Sequence, residues 1–254
     1  MTEANHRWIM SEGTFEHILR QDDLTQKMKG VVCYVPGDGA GAGIRRVRST
    51  YVRDLDEIRN EIRVGRLSEG ENIVFAIETG EDNPGGNTRD GQLLNLGETM
   101  ARADDLCDSV GATLIAAPAG NILQVIDPNG PGGFDGMLEN KIHLKCARHA
   151  MAVGVQAQQA LANINAYTTY IRDVVSQIRD GGLGTLVMAG VTTNSPKQDP
   201  DNYPTAVEIF QAMDSVRSFV DGYWMNVPPH RDTGERDFSK ARRAIRRFYG
   251  LDDV

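Results

Sequence analysis

The 254-residue sequence predicts an α/β chain folded as a (β/α) TIM-like barrel, either with an irregular start or with fewer than eight regular strands. Two observations carry this. Three stretches, ENIVFAIETGEDN (71–83), MAVGVQAQQ (151–159) and FVDGYWMNVPP (219–229), are short apolar runs that stop on polar or acidic residues. A parallel strand covered by helices on both faces reads this way, because only its C-terminal tip meets solvent. Between the runs lie segments with helical periodicity. Polar groups at several strand tips converge only when the strands share one sheet or barrel. A glycine-fingerprint nucleotide fold remains the alternative architecture and fits less well.

Taken in order, the first 13 residues form a loose arm and TFEHILR (14–20) a short helix. GVVCYVPG (30–37) is a strand, ended by Pro36 and a glycine-rich turn. Asp54 caps a helix with Leu55, Ile58 and Ile62 on one face. NIVFAIE (72–78) is the next strand, and a polar loop leads to a helix over 92–110 with Leu93, Leu96, Met100 and Leu106 inward. ATLIAAPAG (112–120) is a strand, followed by a long loop at 121–135 with room for one extra strand at ILQVI. A helix at 137–148 precedes the strand 151–157. The clearest helix, 163–179, repeats Ile164, Tyr167, Ile171, Val174, Val175 and Ile178 at the helical period. GTLVMAGVT (184–192) is a strand, and 204–217 a helix with Pro204 in its first turn. DGYWMNV (221–227) is the last strand and 238–249 a basic amphipathic helix. No long linker interrupts this order, so residues 1–254 read as one barrel domain.

Composition narrows the function classes. A net charge of −8 and a pI near 5.2 argue against nucleic acid as a general partner. No apolar run approaches the roughly 20 residues of a membrane span. The acidic N-terminus lacks an apolar core, so no secretory leader and a cytoplasmic location are expected. Cys33, Cys107 and Cys146 are odd in number and widely spaced, which reads as reduced thiols rather than a disulfide framework.

Glu78 is the leading acid. It closes the strand in FAIETG, where barrel enzymes place catalytic groups, and a half-buried carboxyl there can serve as general acid or base. The alternative is a structural carboxylate bonded to a neighbouring loop. Gln156 and Gln158, two apart at the next such tip, suit hydrogen bonding to hydroxyls or a carbonyl, or bond backbone at the barrel rim. Trp224 and Asn226 share a strand face opposite Asp221, Tyr223 and Met225. An inward Trp would wall a sugar ring, with Asn226 orienting it. Tyr34 on the first strand, and Thr192 and Asn194 past another, complete the substrate-binding candidates.

Within GDGAGAGIRRVR (37–48), Arg45, Arg46 and Arg48 could clamp an anion above a glycine-rich nest. A lid and a plain surface loop are the competing readings, and the spacing matches no nucleotide motif. His143, Cys146 and His149 diverge around a helix, so neither a metal nor a cofactor is expected. The basic KARRAIRRF (240–248) reads as bonding the protein's own surface or a second copy in a homo-oligomer.

The succession VQAQQ, a helix containing YTTYIRDVVSQIRD, LGTLVMAGVTTN, a helix and VDGYWMNVP resembles a poorly characterised group of glycoside-hydrolase-like TIM barrels. The resemblance covers residues 151–229 and implies barrel topology with the site at the strand C-termini, but no activity. The residues favour a glycosidase-like hydrolase that acts on a small polar or glycoside-like substrate by carboxylate acid/base chemistry. Hydrolysis needs a second carboxylate, and Asp127 in the long loop is the candidate. A lyase, isomerase or cyclase on a phosphorylated or carboxylated metabolite is one alternative. A non-catalytic barrel binding a ligand or protein is the other.

Overall fold

The computed structural model describes residues 8–11, 30–33, 46–77, 95–127, 129–194, 202–230 and 233–251. Eight parallel strands follow one another around a closed barrel in chain order. They are β1 (Trp8–Ser11), β2 (Gly30–Cys33), β3 (Arg46–Val52), β4 (Asn72–Phe75), β5 (Thr113–Ala116), β6 (Ala152–Val155), β7 (Leu186–Thr192) and β8 (Gly222–Asn226). The helices are α1 (Leu55–Arg63), α2 (Leu96–Asp108), α3 (Leu123–Ile126), α4 (Gly133–Glu139), α5 (Ile142–Ala147), α6 (Ile164–Asp180), α7 (Ala206–Val216) and α8 (Phe238–Phe248). This is the TIM-like barrel the apolar runs predict.

Two strands lie where the sequence predicts none. Trp8–Ser11, inside the expected loose arm, pairs with both Gly30–Cys33 and residues 222–225 of β8. Arg46 and Arg48, expected in an anion loop, occupy β3 opposite Val31 and Cys33. RVRSTYV runs three polar residues, Arg48, Ser49 and Thr50, together before Tyr51 and Val52, so it lacks the period of a strand and reads as a loop beside a glycine-rich segment. The expected loop 121–135 is instead mostly helical, with a 3₁₀ turn at Gly120–Ile122 followed by α3 and the start of α4. The single helix expected at 137–148 is two, broken at Lys141, whose φ of 52° turns the chain between α4 and α5.

The chain forms two compact units. One comprises Met1–Arg48, Ala157–Arg172 and Met188–Val254, and the other Ser49–Gln156 and Asp173–Val187.

In the first unit β8 pairs with β1 on one side and β7 on the other. Tyr223 donates its hydroxyl proton to the Met213 carbonyl of α7 at 2.7 Å. Its ring also meets the Phe248 ring of α8 edge-on, with centroids 5.0 Å apart. Tyr223 therefore faces the helical layer, and strand alternation turns Gly222, Trp224 and Asn226 to the opposite face, as the sequence predicts. Helix α7 starts where Thr205 and Glu208 form a capping box, each satisfying a backbone N–H of the other.

In the second unit β4 is buried throughout, flanked in register by residues of β3 and β5. Asp54 caps α1 by accepting from the Glu57 N–H at 2.9 Å, and the Glu57 carboxylate returns to the Arg53 N–H. Thr185 donates to the Ala147 carbonyl at 2.7 Å, which ties the approach of β7 to the end of α5.

Candidate site at the ends of β7 and β8

The first unit carries a concavity at the ends of β7 and β8. Thr192, last in β7, lies opposite Asn226, last in β8. The ladder continues past both, since the Thr193 N–H donates to the Asn226 carbonyl at 3.1 Å. The Asn194 N–H then donates to Thr192 Oγ1 at 3.1 Å, closing a local turn that fixes the Asn194 backbone.

Beyond this turn opens a cavity of about 320 Å³, whose lining includes Asn194, Tyr203, His230, Glu235, Asp237 and Lys240. Its far wall is the loop after β8, folded back as a short hairpin. The His230 N–H donates to the Glu235 carbonyl at 2.7 Å, and the Gly234 N–H to the His230 carbonyl at 2.8 Å. Arg236 anchors the hairpin to the strand end by donating to the Val227 carbonyl at 2.8 Å. The His230 ring stacks on Tyr203, with centroids 4.4 Å apart.

Charges in this wall are largely committed. Lys240 Nζ lies 3.5 Å from Asp237 Oδ2 and 5.7 Å from the Tyr203 ring centre. Asp237 caps α8 by accepting from the Lys240 N–H at 3.0 Å and from Ser239 Oγ at 2.9 Å. Burial pushes its carboxyl upward, but these hydrogen bonds and the Lys240 charge prevail and hold it below the usual carboxylate range. Asp237 is therefore a standing anion and not a proton donor near neutral pH. The Glu235 carboxylate has no hydrogen-bond or ion-pair partner among the described residues. The site offers an aromatic wall, an amide, an uncommitted carboxylate and a neutralised ion pair, a set suited to hydroxyl-rich ligands.

A second, much smaller cavity of about 10 Å³ adjoins the first, and Asn194 lines both. Gln158, Asn202 and Glu208 also line the smaller one.

The structure treats the sequence candidates unevenly. Glu78, Tyr34 and Arg45 lie outside the described residues. Ile77, immediately before Glu78, is fully buried with φ of 47°, a conformation that strains a β-branched residue. Gln156 and Gln158 do not share a strand face, because β6 ends at Val155 and Gln158 opens a 3₁₀ turn. Gln156 donates to the Ala117 carbonyl at 2.9 Å, the rim bond held open above, while Gln158 reaches the small cavity. Thr192 is buried as the hydrogen-bond acceptor of the turn. Trp224 is 4% exposed and stands opposite Gly190 of β7, with no described place in the cavity lining. Asn226 is half-buried at the strand tip. Asp127 accepts from Asn140 Nδ2 at 3.3 Å, and its carbonyl accepts from the Gly130 N–H. A Cβ at Gly130 would fall 1.9 Å from the Asp127 carboxylate, so a side chain there would displace that carboxylate.

Of the would-be metal trio, His143 is fully buried and burial lowers its pKa to about 3. The Cys146 thiol is pushed up to about 12. His149 Nδ1 lies 3.8 Å from Asp104. Tyr203, His230, Glu235, Asp237 and Lys240 escaped the sequence reading because they belong to loops and a helix start rather than strand tips. The dipeptides Tyr203-Pro204 and Pro229-His230, which set aromatic groups beside turn residues after two strand ends, were the available signal.

No family model and no curated protein sequence matches the chain. Solved structures match it in fold. A GH128 (subgroup I) endo-beta-1,3-glucanase from Amycolatopsis mediterranei superposes with a TM-score of 0.53 at 11% identity, over 97% of this chain and 99% of that one. The PgaB (BpsB) glycoside hydrolase domain from Bordetella bronchiseptica gives 0.50 at 8% identity, over 98% and 99%. Hydroxymethylglutaryl-CoA lyase from Pseudomonas aeruginosa gives 0.52 at 9% identity, over 89% and 78%. The chain thus shares the TIM-barrel-like fold of glycoside hydrolases, as the resemblance in residues 151–229 implies, and shares it equally with a lyase. Among the described residues, no helix is long and apolar enough to cross a membrane.

Proposed function

We propose that the chain is a barrel enzyme acting on a small polar, glycoside-like molecule bound at the ends of β7 and β8. The observation that carries this is the cavity of about 320 Å³ with the Tyr203–His230 stack in its wall, where the side chains of Asn194 and Glu235 have no hydrogen-bond partner among the described residues. Stacked rings provide an apolar surface for a sugar ring, and amide and carboxylate groups accept or donate to its hydroxyls.

Glu78 is assigned the proton transfer. Its place directly after the buried end of β4 supports the assignment, and so does the strained backbone of Ile77, since such strain concentrates at functional sites. Hydrolysis calls for a second carboxylate. Asp127, in the same unit as Glu78, is the candidate, its carboxylate accepting from Asn140 Nδ2.

The reading is tested by assaying the purified chain against a panel of aryl glycosides and β-glucan oligosaccharides. Glu78→Gln keeps shape and hydrogen bonding but removes the titrating proton, so turnover should fall at least about a hundredfold while binding persists. Binding without turnover by the unaltered chain would instead mark a non-catalytic ligand-binding barrel.

A lyase, isomerase or cyclase is the second reading, favoured by Lys240, which brings an ammonium into the cavity wall at 17% exposure. It requires activity on carboxylated or phosphorylated substrates and indifference to Asp127→Asn. Either enzyme would work as a cytoplasmic protein on a small molecule rather than on nucleic acid, consistent with the acidic charge and with Cys107 and Cys146 as free buried thiols. Self-association of the chain stays part of the proposal.

A further inference from the structure

Among the described residues, Asn194 alone lines both the larger cavity and the smaller one. Its backbone is fixed by Thr192 Oγ1, yet its carboxamide has no hydrogen-bond partner among the described residues. An amide in that position, half-buried at a cavity wall, is free to satisfy a ligand. What it lacks is anything to set its orientation.

The smaller cavity can supply that. Its volume of about 10 Å³ is close to what one water occupies, and Gln158, Asn202 and Glu208 line it together with Asn194. A buried water needs two to four polar partners, and this lining provides them. Glu208 is itself rigid: one carboxylate oxygen, Oε2, accepts from the Thr205 N–H at 2.7 Å and from Thr205 Oγ1 at 2.8 Å. Further acceptor sites remain on the carboxylate, and Gln158 has a carboxamide with no described hydrogen-bond partner.

We propose that one water in the smaller cavity, held by Glu208 and Gln158, orients the Asn194 carboxamide so that it reads a hydroxyl or carbonyl of the ligand in the larger cavity. Asn194 is then a specificity-determining residue, and Gln158 a positioning residue that acts through the water instead of a ligand contact. The ligand class is an uncharged hydrogen-bonding molecule, discriminated from analogues lacking the hydroxyl that Asn194 meets. Such discrimination arises because a polar site left unpaired penalises the wrong ligand more than a good contact rewards the right one. This inference rests on the proposed use of the larger cavity by a glycoside-like ligand.

Two measurements test it. A high-resolution crystal structure of the full chain without ligand should show an ordered water within about 3.2 Å of both Asn194 and Glu208. A dry smaller cavity overturns the proposal, whatever the protein binds. Calorimetry should then compare a methyl glycoside with its singly deoxygenated analogues. The unaltered chain should favour the parent by at least about tenfold over one analogue. Both Asn194→Leu and Gln158→Leu should bring that ratio near one, and a Gln158→Leu chain that folds and keeps the preference sinks the positioning role. Should no glycoside bind, the proposed function fails while the crystallographic water still decides the relay.

Discussion

Tyr203 and His230 stack 13° from parallel across the mouth of the cavity, although one precedes α7 and the other follows β8. The stack bridges the approach to α7 and the segment that follows β8. It should serve both the shape of the cavity and the binding of a flat ligand.

Tyr203→Ala should therefore weaken glycoside binding about tenfold, the upper end of what an aromatic pair contributes beyond area. His230→Phe, which preserves the stack, should stay within about twofold of the unaltered chain on the same ground. Titration calorimetry on both variants decides it, and equal affinity for Tyr203→Ala would remove the aromatic wall from the site.

The capping box at α7 should show in stability. Thr205→Ala removes the acceptor for the Glu208 N–H and the hydroxyl donor to Glu208, for an expected loss of about 1 kcal/mol in urea unfolding. Because Glu208 also lines the smaller cavity, the same change should loosen the carboxylate there.

Two buried tyrosines should respond oppositely to losing the hydroxyl. Tyr167 is fully buried and its hydroxyl has no hydrogen-bond partner among the described residues, so Tyr167→Phe should be neutral or stabilising by up to about 1 kcal/mol. Tyr223 donates to the Met213 carbonyl, so Tyr223→Phe should cost about 1 kcal/mol. A matched pair of denaturation curves compares them, and equal losses would contradict the assignment of partners.

Acid should destabilise the fold before the carboxylates titrate. Burial lowers the His143 pKa from 6.5 to about 3, so the folded chain keeps this ring neutral where the unfolded chain binds a proton. Its contribution is present above pH 6.5 and is lost progressively as pH falls toward 3, with a slope of up to about 1.4 kcal/mol per unit. Glu208 and Asp237, both held below their ordinary values of 4.5 and 3.8, add loss in the same direction at still lower pH. Urea midpoints from pH 7 to 4 should fall, and His143→Gln should flatten that fall.

How much of this was legible follows from what each segment contains. NIVF, TLIA, AVGV and LVMAGVT are almost wholly apolar, as buried parallel strands must be, and they were readable without a structure. WIMS sits in a polar arm and is too short to show a period, and RVRSTYV reads as a cationic loop until β2 and β4 are placed beside it. At the site, the alternation of Trp224 and Asn226 against Tyr223 was correctly inferred, since strand geometry is local. The burial of Trp224 against its neighbours was not, because it depends on which residue stands opposite.

By itself, the sequence determined six of the eight strands, the faces of β8 and the acidic net charge, all consequences of local periodicity and composition. Only the tertiary structure decided that Asn194 lines two cavities and that Tyr203 meets His230. Those pairings join residues from separate loops, whose positions depend on strand register and hairpin closure. No local pattern encodes distances across such loops; packing sets them once the strands are side by side.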